Sequence, residues 1–108
     1  MTSTYTVPIA RGGGSGSSNI QLYAVSGDTT VVLRDLVADS PTPVAAQFIF
    51  YVVIPGTGNV TLFRAQLTTT LQHLHQELRQ ALMPGDQLWL SVNSSSTWTY
   101  AVTGYLFD

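Results

Sequence analysis

The stretch TTTLQHLHQELRQALMPGD, Thr68 to Asp86, decides which fold this chain can have. By spacing alone it predicts a short helix, because Leu71, Leu74, Leu78 and Leu82 recur at helical intervals. Thr69 and Gln72 fit a capping box, and Gln, Glu, Leu and Arg are good helix formers. Read as a strand, the same stretch puts Leu74, Leu78 and Leu82 on one face with Gln76 and Gln80, a poorer apolar pattern. No other part of the chain has a helical pattern.

Working outward, the flanks read as strands and turns. Gln87 to Asn93 alternates, with Leu88, Leu90 and Val92 inward and Trp89 outward, after a turn made by Pro84 and Gly85 and capped by Asp86. Val60 to Leu67 alternates behind the strong turn PGTGN, Pro55 to Asn59. Val44 to Ile54 is apolar on both faces, which predicts a central or doubly covered strand. Thr29 to Ala38 is long and β-branched and ends at SPTP, Ser40 to Pro43. Asn19 to Val25 alternates, and SGD, Ser26 to Asp28, reads as a hairpin turn behind it. Thr4 to Ile9 reads as an edge strand limited by Pro8. Arg11 to Ser18, RGGGSGSS, reads as a flexible Gly/Ser segment. The division expected is an N-terminal arm over 1–18 and a β-domain over 19–108. Turns every 10–15 residues or so predict a sandwich or barrel of short antiparallel strands.

Composition narrows the function classes. The chain has 108 residues, one domain's worth, with no cysteine and therefore no disulfide or thiolate metal site. Only 9% of residues are charged, lysine is absent, and the net charge is −2. Phosphate neutralisation cannot then dominate binding, so no nucleic-acid partner is expected. So little charge also points to assembly rather than to a freely diffusing monomer. The longest apolar run, FIFYVVI (Phe48 to Ile54), is far short of a membrane span, and MTSTYTVPIARGGG lacks the pattern of a signal peptide. No membrane partner is expected.

Candidate chemistry is sparse. On a strand, His73, His75 and Glu77 would project from one face, near enough to share a metal ion as in a cupin-like metalloenzyme. A solvated polar face is the commoner use of such residues, and no metal ligand is assigned. No serine sits in a nucleophile elbow, and GGGSG lacks the lysine of a phosphate loop. The expectation is a protein without catalytic activity and without a cofactor. Aromatic residues are more suggestive: Trp89, Trp98, Tyr100 and Tyr105 crowd the last two strands, Gln87 to Asn93 and Thr97 to Phe107. If those strands pair, Trp89 and Trp98 lie close across a hairpin, as an interface or sugar-stacking platform or as a core pair. These four residues are the candidate contact set.

Three stretches in order carry a resemblance. LYAVSGDTTVVLRDLVADS (Leu22 to Ser40), HQELRQALMPGDQLWLSV (His75 to Val92) and YAVTGYLFD (Tyr100 to Asp108) resemble small all-β structural proteins of tailed bacteriophages. Val32, Arg34 and Asp35 match a VxRD strand. Leu82, Pro84, Gly85, Asp86 and Leu88 match an LxPGDxL turn, and Val102, Gly104 and Leu106 match the closing strand. The resemblance implies that His73 to Arg79 is a strand, and this reading is followed here. The fold expected is thus all-β: a single antiparallel β-sandwich of seven or eight strands, in a jelly-roll-like form, with a flexible Gly/Ser-rich N-terminal segment.

The function implied is a virion structural protein that decorates or cements a phage capsid or belongs to its tail or fibre. Its partners would be identical copies, as a trimer or higher homo-oligomer, and the major capsid or tail proteins. It would be made in the host cytoplasm and end in the virion. The alternative is a carbohydrate- or receptor-binding module that stacks a glycan on exposed Trp and Tyr.

Overall fold

A computed structural model describes residues 7–107 of the chain. Eight strands follow one another: β1 (Val7–Ser15), β2 (Ser18–Ala24), β3 (Thr30–Asp39), β4 (Ala46–Ile54), β5 (Gly58–Leu67), β6 (His73–Leu82), β7 (Gln87–Ser94) and β8 (Thr97–Phe107). No helix occurs among the described residues. They form two four-stranded antiparallel sheets, ordered β1-β8-β3-β6 and β2-β7-β4-β5. The pairs 1 with 8, 2 with 7, 3 with 6 and 4 with 5 are nested, as when one long hairpin is wound upon itself. That winding folds the chain into a two-layer antiparallel β-sandwich.

Only β4 and β5 are consecutive strands that also pair, across the turn at Pro55 to Thr57, where Thr57 N–H donates to Ile54 O at 3.0 Å. Every other connection passes from one sheet to the other. The SGD turn therefore does not close a hairpin, because β2 and β3 lie in opposite sheets. For the same reason Trp89 and Trp98 are not cross-strand neighbours: β7 and β8 face each other across the core.

The core is apolar throughout. Val31, Leu33, Leu36, Ala38, Val102 and Trp98 from the first sheet meet Phe48, Phe50, Val52, Ala65, Leu67, Leu88, Leu90 and Val92 from the second. β4 is central in its sheet but covered on one face only, since Gln47, Ile49, Tyr51 and Val53 are half-exposed. Asp86, at the corner between β6 and β7, accepts from Met83 N–H at 2.9 Å and caps the turn. Gly85 has φ +95 there, the conformation a type II turn with Pro at its second position requires. Buried Ser40 ties the corner after β3 to β8, its hydroxyl within 2.9 Å of Thr42 O and 3.1 Å of Thr97 O.

The strand reading followed for His73 to Arg79 holds, since these residues lie in β6, and the alternative from spacing fails: the segment from 69 to 72 is not the start of a helix. The Thr68 hydroxyl accepts from Leu71 N–H at 3.0 Å, so a threonine does cap, but what it caps is a turn that leads into β6. Leu71 is left exposed at that turn, while Leu74, Leu78 and Leu82 face inward with alternation. Nor is the Gly/Ser segment a flexible arm ending at residue 18. Gly12, Gly13 and Gly14 pair with Tyr100, Thr99 and Trp98 as part of edge strand β1. A Cβ on Gly14 would lie 2.8 Å from the Trp98 ring, and one on Gly13 2.5 Å from Trp98 O. Glycine here makes room for an aromatic ring laid over the strand, which anchors it. Of the edge strand expected at Thr4 to Ile9, Val7 to Ile9 lie in β1, and the residues before Val7 lie outside the described ones.

Candidate functional site

The β-sandwich gives two outer faces, and chemistry-bearing residues stand on each. On the second sheet, β2, β7, β4 and β5 bring Gln21, Trp89, Tyr51 and Thr61 into one row across the strands. Trp89 and Tyr51 stack with ring centroids 6.4 Å apart and planes 17° from parallel. Trp89 Nε1–H donates to Gln87 Oε1 at 3.0 Å, and the Tyr51 hydroxyl donates to Asn19 Oδ1 at 2.8 Å. Both rings therefore stand with satisfied polar ends and partly open faces. Beside Tyr51 lies a shallow open depression of about 270 Å³, lined by Asn19, Ile49, Asn59, Thr61, Arg64 and Ser91. Amide, hydroxyl and guanidinium groups next to an aromatic surface can hydrogen-bond a polyol or a polar protein surface.

On the first sheet the outer face is built by a bulge. Leu33 and Leu36 are both fully buried although three apart, so Arg34 and Asp35 are both pushed outward. Across the bulge, Leu33 and Asp35 pair with the adjacent residues Gly104 and Thr103 of β8. A Cβ on Gly104 would lie 2.1 Å from Val32 O, so only glycine fits this position. Arg34 donates a hydrogen bond to the Tyr105 hydroxyl, with its guanidinium 5.3 Å from the Tyr105 ring centre. Asp35 meets His75 Nε2 at 2.7 Å and accepts from the Thr103 hydroxyl at 3.0 Å. The His75 hydrogen bond holds the Asp35 carboxyl below the usual carboxylate value; Thr103 and the charge of Arg34 add to this against the opposing effect of burial. His73 Nδ1 stands 3.2 Å from Asp39 in a parallel pair.

The four expected contact residues thus fall in three different places. Trp89 is on the outer face of the second sheet, and Tyr105 is on the outer face of the first. Trp98 is in the core, 2% exposed, edge-on to Phe48 and donating from Nε1 to Gly16 O at 2.9 Å. Tyr100 turns inward beside it, ring centroids 6.2 Å apart. Trp98 and Tyr100 anchor β1 instead of forming a surface platform. Of the trio His73, His75 and Glu77, the strand reading does put all three on one face, but Asp35 takes the place of His73 beside the other two. Spacing overlooked Tyr51 and Asn19. Tyr51 was signalled by opposite parity to Phe48 and Phe50, but its partner Trp89 follows only from the sheet order.

No protein-family model matches the chain, and no curated protein matches its sequence. Solved structures do match its shape. A chain in the structure of infectious bursal disease virus, Gx strain, superposes with a TM-score of 0.56 at 7% identity, over 98% of this chain and 33% of that one. The Gt strain structure gives 0.49 at 12% identity, over 97% and 32%, and the crystal structure of the VP2 subviral particle of that virus gives 0.47 at 14%, over 94% and 32%. The chain spans about a third of the length of those chains. At such identities the likeness is one of fold: the whole eight-stranded sandwich has a counterpart within a chain of a virus particle.

Proposed function

We propose that this protein is a structural subunit of a virion that works by adhesion, not catalysis. The observation that supports it is the likeness of fold over 98% of the chain to a chain of a virus particle. The surface agrees: the outer face of the second sheet presents Ile49, Tyr51, Val53 and Trp89 among mostly uncharged polar residues, with Arg64 at the depression beside Tyr51, in a chain without lysine. Such a face loses little on desolvation and gains by burial against an identical copy. Closed symmetric association lets one small interface act many times over. The finer reading comes from the VxRD, LxPGDxL and closing-strand motifs: a tailed-phage protein that cements the capsid or sits in the tail or fibre, with major capsid or tail proteins as partners. Light scattering coupled to size exclusion on the purified full chain is the test. A stable trimer or larger closed oligomer is the expected result, and a monomer up to the solubility limit would overturn self-assembly.

The Trp89–Tyr51 stack and the depression beside it favour a second reading, a glycan-binding module, since sugar rings stack on such surfaces. That reading requires saturable quenching of tryptophan fluorescence by glycans, lost in Trp89→Ala.

A further inference from the structure

Asp35, His75 and Glu77 each offer one donor atom, and all three atoms lie within 4.8 Å of one another on the outer face of the first sheet. We propose that they form a binding site for a divalent transition-metal ion of the zinc type, with a coordination position left open to solvent. The site does not depend on the virion reading.

The register explains the convergence. Asp35 on β3 stands directly across from Glu77 on β6, and His75 lies two residues along on the same face. Strict alternation from Leu33 would send Asp35 into the core; the bulge at Arg34 turns it outward to meet them. His75 Nε2 already stands 2.7 Å from Asp35 Oδ1, so the two donor atoms flank the point a cation would occupy. Zn–N and Zn–O bonds of about 2.1 Å put tetrahedral ligand atoms roughly 3.4 Å apart. The donors lie on either side of that spacing, between 2.7 Å and 4.8 Å, so side-chain rotation is enough to close them.

One imidazole and two carboxylates suit zinc and its neighbours, while calcium and magnesium want more oxygens than this cluster offers. Asp35 has an outer support as well: the Thr103 hydroxyl donates to Oδ2, the oxygen turned away from His75. Such second contacts fix the ligand for a metal. The His75 and Asp35 side chains are 44% and 31% exposed, so an ion reaches the cluster without any movement of the fold. His73, bonded to Asp39, stands outside it.

The test uses the untagged full chain, stripped with chelator and titrated calorimetrically with zinc chloride, with cobalt absorption as a second readout. One zinc per chain is expected, with cobalt giving the visible bands of a low-coordinate site. Asp35→Asn, His75→Gln and Glu77→Gln should each weaken zinc binding by roughly tenfold or more. His73→Gln should bind like the parent, and magnesium chloride should give no comparable binding. Absence of stoichiometric zinc on the parent chain would overturn the site. So would full affinity in His75→Gln, or magnesium bound as tightly as zinc. Far-UV circular dichroism on each variant separates loss of a ligand from loss of the fold.

Discussion

At the residue scale, the most informative positions are glycines and the aromatic that covers them. Trp98 fills the end of the core, and its removal would leave a large void beside Phe48 while freeing the Gly16 carbonyl. Trp98→Ala is expected to cost about 3–5 kcal/mol, measured by urea unfolding followed by circular dichroism. Gly104→Ala is the complementary case. One methyl group there collides with backbone at the β3 bulge, and 1–3 kcal/mol or so of destabilisation is expected by the same measurement. These positions show what is legible at this scale. Leu88, Leu90 and Val92 declare their inward face by alternation alone, because a single local period decides it. Asp35 does not, since the bulge that turns it outward is visible only once β8 and β6 are laid beside β3. The candidate site was legible in part for the same reason: His75 and Glu77 follow from parity, and their third member does not.

At the element scale, β6 and β1 were the difficult segments, for opposite reasons. Leucines four apart satisfy a helix and a strand equally, and only Leu71 breaks the strand parity. In the fold Leu71 sits exposed in the turn before β6, so the helical periodicity was one residue's coincidence. A helix packed through all four leucines would need both ends of its stripe. The strand predicts an unequal outcome: Leu71→Ser within about 0.5 kcal/mol of the parent chain, and Leu82→Ala worse by roughly 2–5 kcal/mol, in urea titrations of both. β1 misleads through composition, because glycine is taken for freedom where it provides clearance. Its role is testable by deletion of residues 1–15. A flexible arm would come off without consequence. A strand that covers Trp98 and the edge of β8 should not: the shortened chain should lose its cooperative thermal transition or aggregate through the bared edge, read by near-UV circular dichroism and light scattering.

At the scale of the whole molecule, the nested pairing brings the first described strand beside the last, and no local pattern encodes which strand goes into which sheet. The two outer faces that result are chemically unlike. The first carries Arg34, Asp35, Asp39, His73, His75 and Glu77, charged or titratable groups that are costly to bury. The second carries the Trp89–Tyr51 stack with Ile49 and Val53, and Arg64 beside them, a mainly apolar surface that a second copy can cover at lower cost. If assembly uses the second face, Trp89→Ser removes most of its apolar relief without touching the core, because the ring packs outward, where Gln87 loses a hydrogen-bond partner and Tyr51 its stacked ring. The variant should elute at a lower mass than the parent in light scattering, while keeping a cooperative thermal transition. Tyr105→Ser, on the opposite face beside Arg34, supplies the comparison and should keep the parent's mass. An unchanged mass in Trp89→Ser with a reduced one in Tyr105→Ser would move the interface to the charged sheet, where the cluster of Asp35, His75 and Glu77 would then lie between copies.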